Sequence, residues 1–429
     1  MVGLCKLHFP LYCCQCIEGT RFIVAGGGGA AKTGVKNCVQ LLEVNKVKRK
    51  CEATTLEQLD TGIHAVMNMS AVPVGKGCKC HPSITDSDKY LVALGMGATC
   101  KIFSIKEEKC KESETNQTAS GLKKRKKGKE EKKESPGEVC YKTSLLHHID
   151  TATGDKGTQT AVRLSHNGSL LVAGASDGHL RAWKLPSKEQ IFDSKGHKDD
   201  ITDIDITNDA SQIVSVSRDG KAFLWDASSG HKTMELHVIW NMKMISRNFR
   251  FRNCRFGLVP ESPDKLRLFT THVPIKRDPN NKVHCCITKW AKRRNSEGKE
   301  TGNLEPAIVQ NTGHEAISAL AVSDDGVFVG LGFMDGSVGI YISFNLQCAK
   351  HVKNVHSIFV TSLSFVKESP LSRVTMGDYD TAIVSVSADC TCQLTKLESR
   401  ALFSIWLVIL LCFIAIATTA YYLNYSGLL

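Results

Sequence analysis

The chain has 429 residues, 42% of them hydrophobic, with 55 Lys and Arg against 43 Asp and Glu for a formal charge of +12. That length holds two or three average domains, or one large repeat or all-β unit, and composition alone does not choose between them. Eighteen cysteines would suit a disulfide-stapled secreted protein, but the opening MVGLCKLHFPLYCCQC lacks the basic region, apolar core and small-residue cleavage site of a secretory signal, so reduced thiols are expected.

Taken in chain order, the first distinctive stretch is FIVAGGGGAAKTGVKNCVQLLEV, residues 22–44. It falls one residue short of a phosphate-binding loop, with Ala31-Lys32-Thr33 where Gly-Lys-Thr is needed. Such a loop also needs a helix behind it, because loop amides and helix N-terminus hold the phosphates together. Here VQLLEV follows, rich in β-formers, so the stretch reads as strand, loop, strand. Three Cys-x-Cys pairs, Cys14/Cys16, Cys78/Cys80 and Cys390/Cys392, lack the spacing and second ligand pair of a zinc site. Residues two apart share one strand face, so they read as small buried hydrophobes.

Residues 106–138, KEEKCKESETNQTASGLKKRKKGKEEKKESPGE, cannot bury a core and are expected to form a disordered insertion. From Lys106 to Glu134 it carries eleven Lys and Arg against seven Asp and Glu. Its basic run, 123–127, suits a nuclear-import or nucleic-acid patch, or a solvated loop near an anionic membrane.

Three segments then repeat one pattern: 164–186, 196–226 and 313–343, each with alternating strands, an Asp-Gly turn and an aromatic in the third strand. A unit of about forty residues is the mark of a WD-repeat β-propeller. Gly196-His197, Asp219 and Trp225-Asp226 fit the repeat signature, with Ser215 or Ser217 completing a buried hydrogen-bonded set. Because blades reuse this set to fix their turns, its His, Asp and Ser are read as structural rather than catalytic. Weaker copies at 9–44, 61–105, 249–291 and 355–397 bring the total to seven blades, within residues 1–398. At the end, ALFSIWLVILLCFIAIATTAYYL, residues 401–423, has no charge and spans about 35 Å as a helix, against about 30 Å of hydrocarbon. The expected architecture is therefore all-β, a seven-bladed propeller followed by one transmembrane helix. Lys396 and Arg400 before the span orient the propeller to the cytosol and leave 424–429 on the lumenal side.

Laying the first blade on the third puts FIVAGG over LLVAGA and CVQLLEV over HLRAWKL. Gly27 to Asn37 then occupies a turn that Ala175 to Gly178 makes in four residues, an insertion of seven. Long loops on rigid scaffolds commonly carry function. The glycines let carbonyls converge, and the Asn37 side chain offers another oxygen, a donor set suited to a hard cation; a partnerless glycine-rich hairpin is the competing reading.

FPLY, VAGGGGAAKTGVKN, CRFG at 254–257, LRLFT at 266–270, the divergent propeller and the single terminal span together resemble one family. It is the family of prolactin regulatory element-binding protein, the vertebrate endoplasmic-reticulum guanine nucleotide exchange factors that activate the Sar-type small GTPase and start COPII coat assembly. The resemblance implies that the glycine loop binds potassium and engages the GTPase. It implicates Gly26, Gly27, Gly28, Gly29, Thr33, Gly34, Val35 and Asn37, with potassium held by Asn37 and the carbonyls of Gly27, Gly28 and Gly29. It assigns Lys32 no role. It implies a protein of the endoplasmic-reticulum membrane with no covalent chemistry of its own. Two other readings keep the fold: a DNA-binding regulator with a nuclear pool, which lacks any helix-turn-helix, zinc-finger or basic-zipper pattern, and a membrane-anchored scaffold without exchange activity. Read as exposed, the loop should tolerate Asn37→Ala with little change in melting temperature, and Gly28→Val should act through backbone strain.

Overall fold

The structure is a computed structural model that describes residues 2–31, 34–48, 50–74, 84–85, 87–109, 139–153, 157–237, 239–240, 243–244, 249–259, 265–275, 284–294, 300–399 and 405–425. Strand β1 (Val2–Lys6) comes first. Blade 1 is β2 (Leu11–Glu18), β3 (Arg21–Gly26), β4 (Cys38–Val47) and β5 (Lys50–Asp60). Blade 2 is β6 (Asn68–Pro73), β7 (Asp88–Met96), β8 (Thr99–Lys109) and β9 (Val139–Asp150). Blade 3 follows as β10 (Gln159–Leu164), β11 (Leu170–Ala175), β12 (His179–Lys184) and β13 (Glu189–Lys195). In blade 4 the strands are β14 (Ile201–Ile206), β15 (Gln212–Ser217), β16 (Ala222–Asp226) and β17 (Lys232–Glu235). A two-residue pair, β18 (Ile239–Trp240) with β19 (Lys243–Met244), precedes blade 5. That blade is β20 (Phe249–Gly257), β21 (Arg267–Pro274), β22 (Cys285–Arg294) and β23 (Glu300–Gly313). Blade 6 is β24 (Ile317–Val322), β25 (Phe328–Phe333), β26 (Val338–Ile342) and β27 (Cys348–Val352). Blade 7 takes β28 (Val360–Phe365), then helix α1 (Pro370–Met376), β29 (Thr381–Ser387) and β30 (Thr391–Leu397), with β1 as its outer strand.

The sheets are antiparallel throughout, and the innermost strands β2, β6, β10, β14, β20, β24 and β28 pack in ring order, the last against the first. Middle strands such as β3 and β11 are buried at almost every position, because each blade is covered on both faces by its neighbours. Outer strands such as β5 and β13 meet solvent and lose that pattern. Seven apolar clusters result, one at each junction between blades; that between blades 7 and 1 joins Leu11, Phe22 and Leu42 to Val384 and Leu394. The ring is closed by β1, whose Val2 pairs with Leu394 and Cys5 with Cys392. Closure leaves no open blade edge between the first and last strands.

Seven blades were expected and seven form, with differences in detail: the insertion, expected between blades 2 and 3, falls inside blade 2 between β8 and β9, and β5 carries blade 1 past residue 44. Strand β8 continues through Lys109, with Lys106 opposite Lys142 and Glu108 opposite Cys140, so the insertion starts later than residue 106. Charged residues persist in this outer ladder because they face water, where Lys142 pairs with Glu108 at 2.7 Å. The rest of the insertion, with the basic run 123–127, lies outside the described residues, as do Cys78 and Cys80. Blade 5 extends past residue 291 to include β23, and α1 interrupts blade 7 behind a capping box of Ser369 and Ser372 with Pro370 in its first turn. Cys14 and Cys16 are buried, and burial pushes the Cys14 thiol up to about 12. Cys392 is buried too, but Cys390 takes φ 67° in a turn and is partly exposed rather than buried. Beyond the ring, α2 (Ile405–Tyr425) runs for 21 residues. Its side chains are described at 409–420 and 422, and among the described residues no helix is long and apolar enough to cross a membrane.

Candidate functional site

The connection from β3 to β4 spans 27–37, where the matching connection in blade 3, between β11 and β12, spans 176–178. Its entry is set by close backbone approach. Gly27 N–H donates to Pro10 O at 3.0 Å. A Cβ on Gly26 would fall 2.0 Å from Pro10 O, and one on Gly27, which sits at φ 140°, 2.2 Å from Asn37 Oδ1. No side chain fits at either position. Gly29 and Gly34 turn the chain at φ 72° and 79°, whereas Gly28 does not take a positive φ.

The exit is set by Asn37, which is buried. Its Oδ1 accepts from Gly29 N–H at 2.8 Å, and its Nδ2 faces three main-chain carbonyls, Gly29 O at 3.2 Å and Gly62 O and Ile63 O at 2.9 Å. Asn37 O in turn accepts from Thr61 N–H at 3.0 Å. The partner segment, 61–67, connects blade 1 to blade 2 and is itself fixed where Asp60 Oδ1 accepts from Gly62 N–H at 2.8 Å. One amide therefore fastens the start of the glycine loop to the neighbouring connection. The loop is thus not exposed throughout: its tip, Ala30, Ala31 and Gly34, faces solvent, while its base is buried. The expectation that Asn37 could be removed with little change in melting temperature rested on an exposed loop, and at Asn37 the loop is buried.

Of the residues singled out in the sequence, Gly27, Gly29 and Asn37 meet in one contact set. Gly26 is buried against Pro10, Gly28 is half-buried, and Val35 packs against the apolar cluster between blades 7 and 1. Lys32 and Thr33 lie outside the described residues. Pro10, Gly62 and Ile63 were not anticipated. Beside the loop, Ile63 and Met67 are 71% and 55% exposed, an apolar rim on the same connection that holds Asn37.

Two other polar constellations have the composition of a site. In blade 4, His197 Nε2 lies 2.8 Å from Ser215 Oγ and His197 Nδ1 lies 3.2 Å from Asp219 Oδ2, the connectivity of a hydrolytic triad. Yet Ser215 is fully buried and also accepts from Trp225 Nε1 at 2.8 Å, so no substrate reaches it. Ser217 is committed elsewhere, donating to Asp199 O at 3.0 Å. Burial works against the Asp219 charge, but hydrogen bonds from His197 and from the Lys198 and Lys221 amides outweigh it and hold the carboxyl at about 2. Along the ring axis runs a channel of about 1240 Å³. There Arg255, from the CRFG stretch, meets Asp203 at 2.6 Å and Arg163 meets Asp205 at 3.3 Å. Two cations balanced by two anions tie the inner strands of blades 3, 4 and 5. Among the described residues no group of His, Cys, Asp or Glu is placed to hold a metal ion.

The family described as WD domain, G-beta repeat matches residues 145–184 and 188–226, which cover blade 3 and the first three strands of blade 4. Over 421 residues the chain is 34% identical to the guanine nucleotide-exchange factor SEC12 of Rattus norvegicus, covering 96% of this chain and 94% of the rat protein. The Mus musculus protein of the same name matches with the same identity and coverage. SEC12-like protein 2 of Arabidopsis thaliana is 27% identical over 246 residues, 57% of this chain and 53% of its own. Similarity of that extent to the rodent proteins, carried on a closed seven-bladed ring, places the chain in the SEC12 family of guanine nucleotide-exchange factors.

Proposed function

We propose that the chain promotes GDP release from a Sar-type small GTPase at the endoplasmic reticulum, and so starts COPII coat assembly. The observation that carries this reading is the 34% identity along 96% of the chain to proteins named as nucleotide-exchange factors. The mechanism follows from linkage. A protein that binds the nucleotide-free GTPase more tightly than the GDP form must weaken GDP by the same factor, and each tenfold requires about 1.4 kcal/mol of preference. A braced loop spends little of that preference on its own ordering. Asn37 and Gly27 supply the brace, and Ala30, Ala31 and Gly34 present the tip. No covalent bond is made or broken, so a buried triad is not needed.

Potassium belongs to the same proposal. The carbonyl oxygens of Gly29, Gly62 and Ile63 already accept from Asn37 Nδ2 at 2.9–3.2 Å, and its N–H groups leave no room for a cation among them, so the oxygens left for a hard cation of low charge are those of Gly27 and Gly28 with Asn37 Oδ1. The Gly27 and Gly28 carbonyls and the second lone pair of Asn37 Oδ1 would hold it, and it would supply a fixed positive charge at the loop base. Residues 401–423 are proposed as the membrane span: uncharged, about 35 Å long as a helix, and with Ile409, Leu410, Phe413 and Ile416 turned outward where lipid would cover them.

The test is GDP release from a Sar-type GTPase with the full chain in lipid vesicles. Release should accelerate by at least an order of magnitude, about 1.4 kcal/mol in barrier. An unchanged rate would overturn the proposal.

A further inference from the structure

The end of the propeller opposite the glycine loop is where the chain leaves the ring. Strand β4 begins at the loop, at Cys38, and reaches the other end at Val47 before turning back as β5. There β30 also ends: Leu397 O accepts from Asp380 N–H at 2.8 Å, and the Lys396 ammonium donates to Met376 O. The same Lys396 Nζ lies 3.9 Å from Cys51 Sγ, and Cys51 Sγ lies 3.9 Å from Thr375 O. Helix α1, the β4–β5 hairpin and the last residues of the ring thus form one patch.

Two features of this patch ask for a partner. Helix α1 is held rigidly from within, by its capping box, by buried Met376 and by a 2.8 Å bond from the Tyr379 hydroxyl to Ser372 Oγ. Yet it holds Leu371 and Val374, three residues apart and so on one side, 55% and 74% exposed. Val47 at the hairpin tip is 42% exposed. Around Val47 the described residues Lys46, Lys48 and Lys50 are exposed, three cations against one exposed carboxylate, Glu52, opposite Asn45 further along the hairpin. Glu368 is taken up by Arg373, while Asp378 and Asp380 are exposed beyond the helix, so the cationic character belongs to the hairpin and the apolar character to α1.

We infer that this patch rests on an anionic bilayer surface, with Leu371 and Val374 dipping into the interface and Lys46, Lys48 and Lys50 against lipid phosphates. The inference rests on the proposed span. Between Leu397 and Ile405 there are seven residues, a reach of at most about 25 Å, so the exit point of a spanning chain lies close to the membrane. Apolar side chains flanked by lysines are the composition of an interfacial anchor. The glycine loop, at the far end of β4, then faces away from the bilayer, about 30 Å off.

The experiment is amide hydrogen exchange on the full chain in three settings: detergent, vesicles of phosphatidylcholine, and vesicles with about 30% phosphatidylserine. Exchange at 46–50 and 371–376 should slow on the order of tenfold in the anionic vesicles relative to detergent, with 28–31 unaffected. Leu371→Asp with Val374→Asp should abolish the slowing. Lys46→Glu, Lys48→Glu and Lys50→Glu together should erase the difference between anionic and neutral vesicles. Equal exchange in all three settings for the parent chain overturns the inference, whether or not the variants fold. A carbonate wash of the same vesicles separates the two readings. A chain that resists extraction but shows equal exchange keeps its span and loses its docking face. A chain that is extracted, yet protected on anionic vesicles, does the reverse.

Discussion

Blades 1 and 4 solve the same problem with different chemistry. Each must tie the turn between its second and third strands to a connection joining two blades. Blade 4 does so with side chains: His197 in the connection meets Asp219 in the turn, and Ser215 and Trp225 back the imidazole. The load is shared and one member is ionised. Blade 1 uses a single neutral amide, Asn37, against main-chain groups of Gly29, Gly62 and Ile63. The turn in blade 4 is tight; the loop in blade 1 is long and projects. A side-chain network keeps a short turn in place, whereas an amide gripping backbone fixes the base of a long loop and leaves its tip free for a partner.

The comparison breaks first at Gly27. Gly27→Val would drive a side chain onto Asn37 Oδ1 from a backbone at φ 140°, so nucleotide exchange should fall by more than tenfold, over about 1.4 kcal/mol in barrier, while far-ultraviolet dichroism stays that of a propeller. Parental exchange by that variant would remove the brace from the mechanism. Asn37→Ala should slow exchange by about tenfold and also lower stability by about 1–3 kcal/mol in urea titration, because it removes the hydrogen bonds by which the buried amide holds Gly29, Gly62 and Ile63. Replacing potassium by lithium should slow the parent and add little to this variant; additive losses would mean that ion and amide act at separate places.

Asp219→Asn sharpens the contrast from the other side. Its carboxyl is held at about 2, below the ordinary 3.8, so its stabilisation is complete above about pH 4 and lost as pH falls toward 2. The variant should be less stable than the parent by at most about 2 kcal/mol at pH 7, with the gap closing across that window and exchange unchanged at neutral pH. A pH-independent gap would mean the charge contributes nothing. The smallest effect is expected at Gly28→Val, since Gly28 has no positive φ: about 0.5 kcal/mol in stability and less loss of exchange than Gly27→Val.

The ring was legible because the WD pattern is written in side chains. Gly196-His197, Asp219 and Trp225 announce blade 4, and hydrophobic alternation carries the weaker blades. The length of the glycine loop was legible too, by alignment on blade 3. Its brace was not, since the partners of Asn37 are carbonyls, which any residue supplies. Whether Gly62 and Ile63 lie beside residue 37 depends on how two blades abut, a relation with no local signature. Helix α1 was missed because seven residues are too few for helical periodicity, leaving only Ser369-Pro370-x-Ser372 as a start signal. Strand β1 was missed for a similar reason: VGLCK acquires meaning only opposite residues 391–394.

That last pairing sets an order of events during synthesis. Cys5 is made 387 residues ahead of Cys392 and waits for it. At typical elongation rates of 5–20 residues per second, the interval is about 20–80 s. Throughout it β1 is a loose strand and blade 1 lacks its blade 7 neighbour, so Phe22, Leu42 and the thiols of Cys14 and Cys16 stay uncovered on that side. The hazard of a newborn chain is therefore concentrated at the seam between blades 7 and 1. A chaperone that grips blade 1 would meet its longest-exposed surface there. Deleting residues 2–6 would leave the seventh blade three-stranded, with β30 as a permanent open edge directly ahead of the apolar terminal helix.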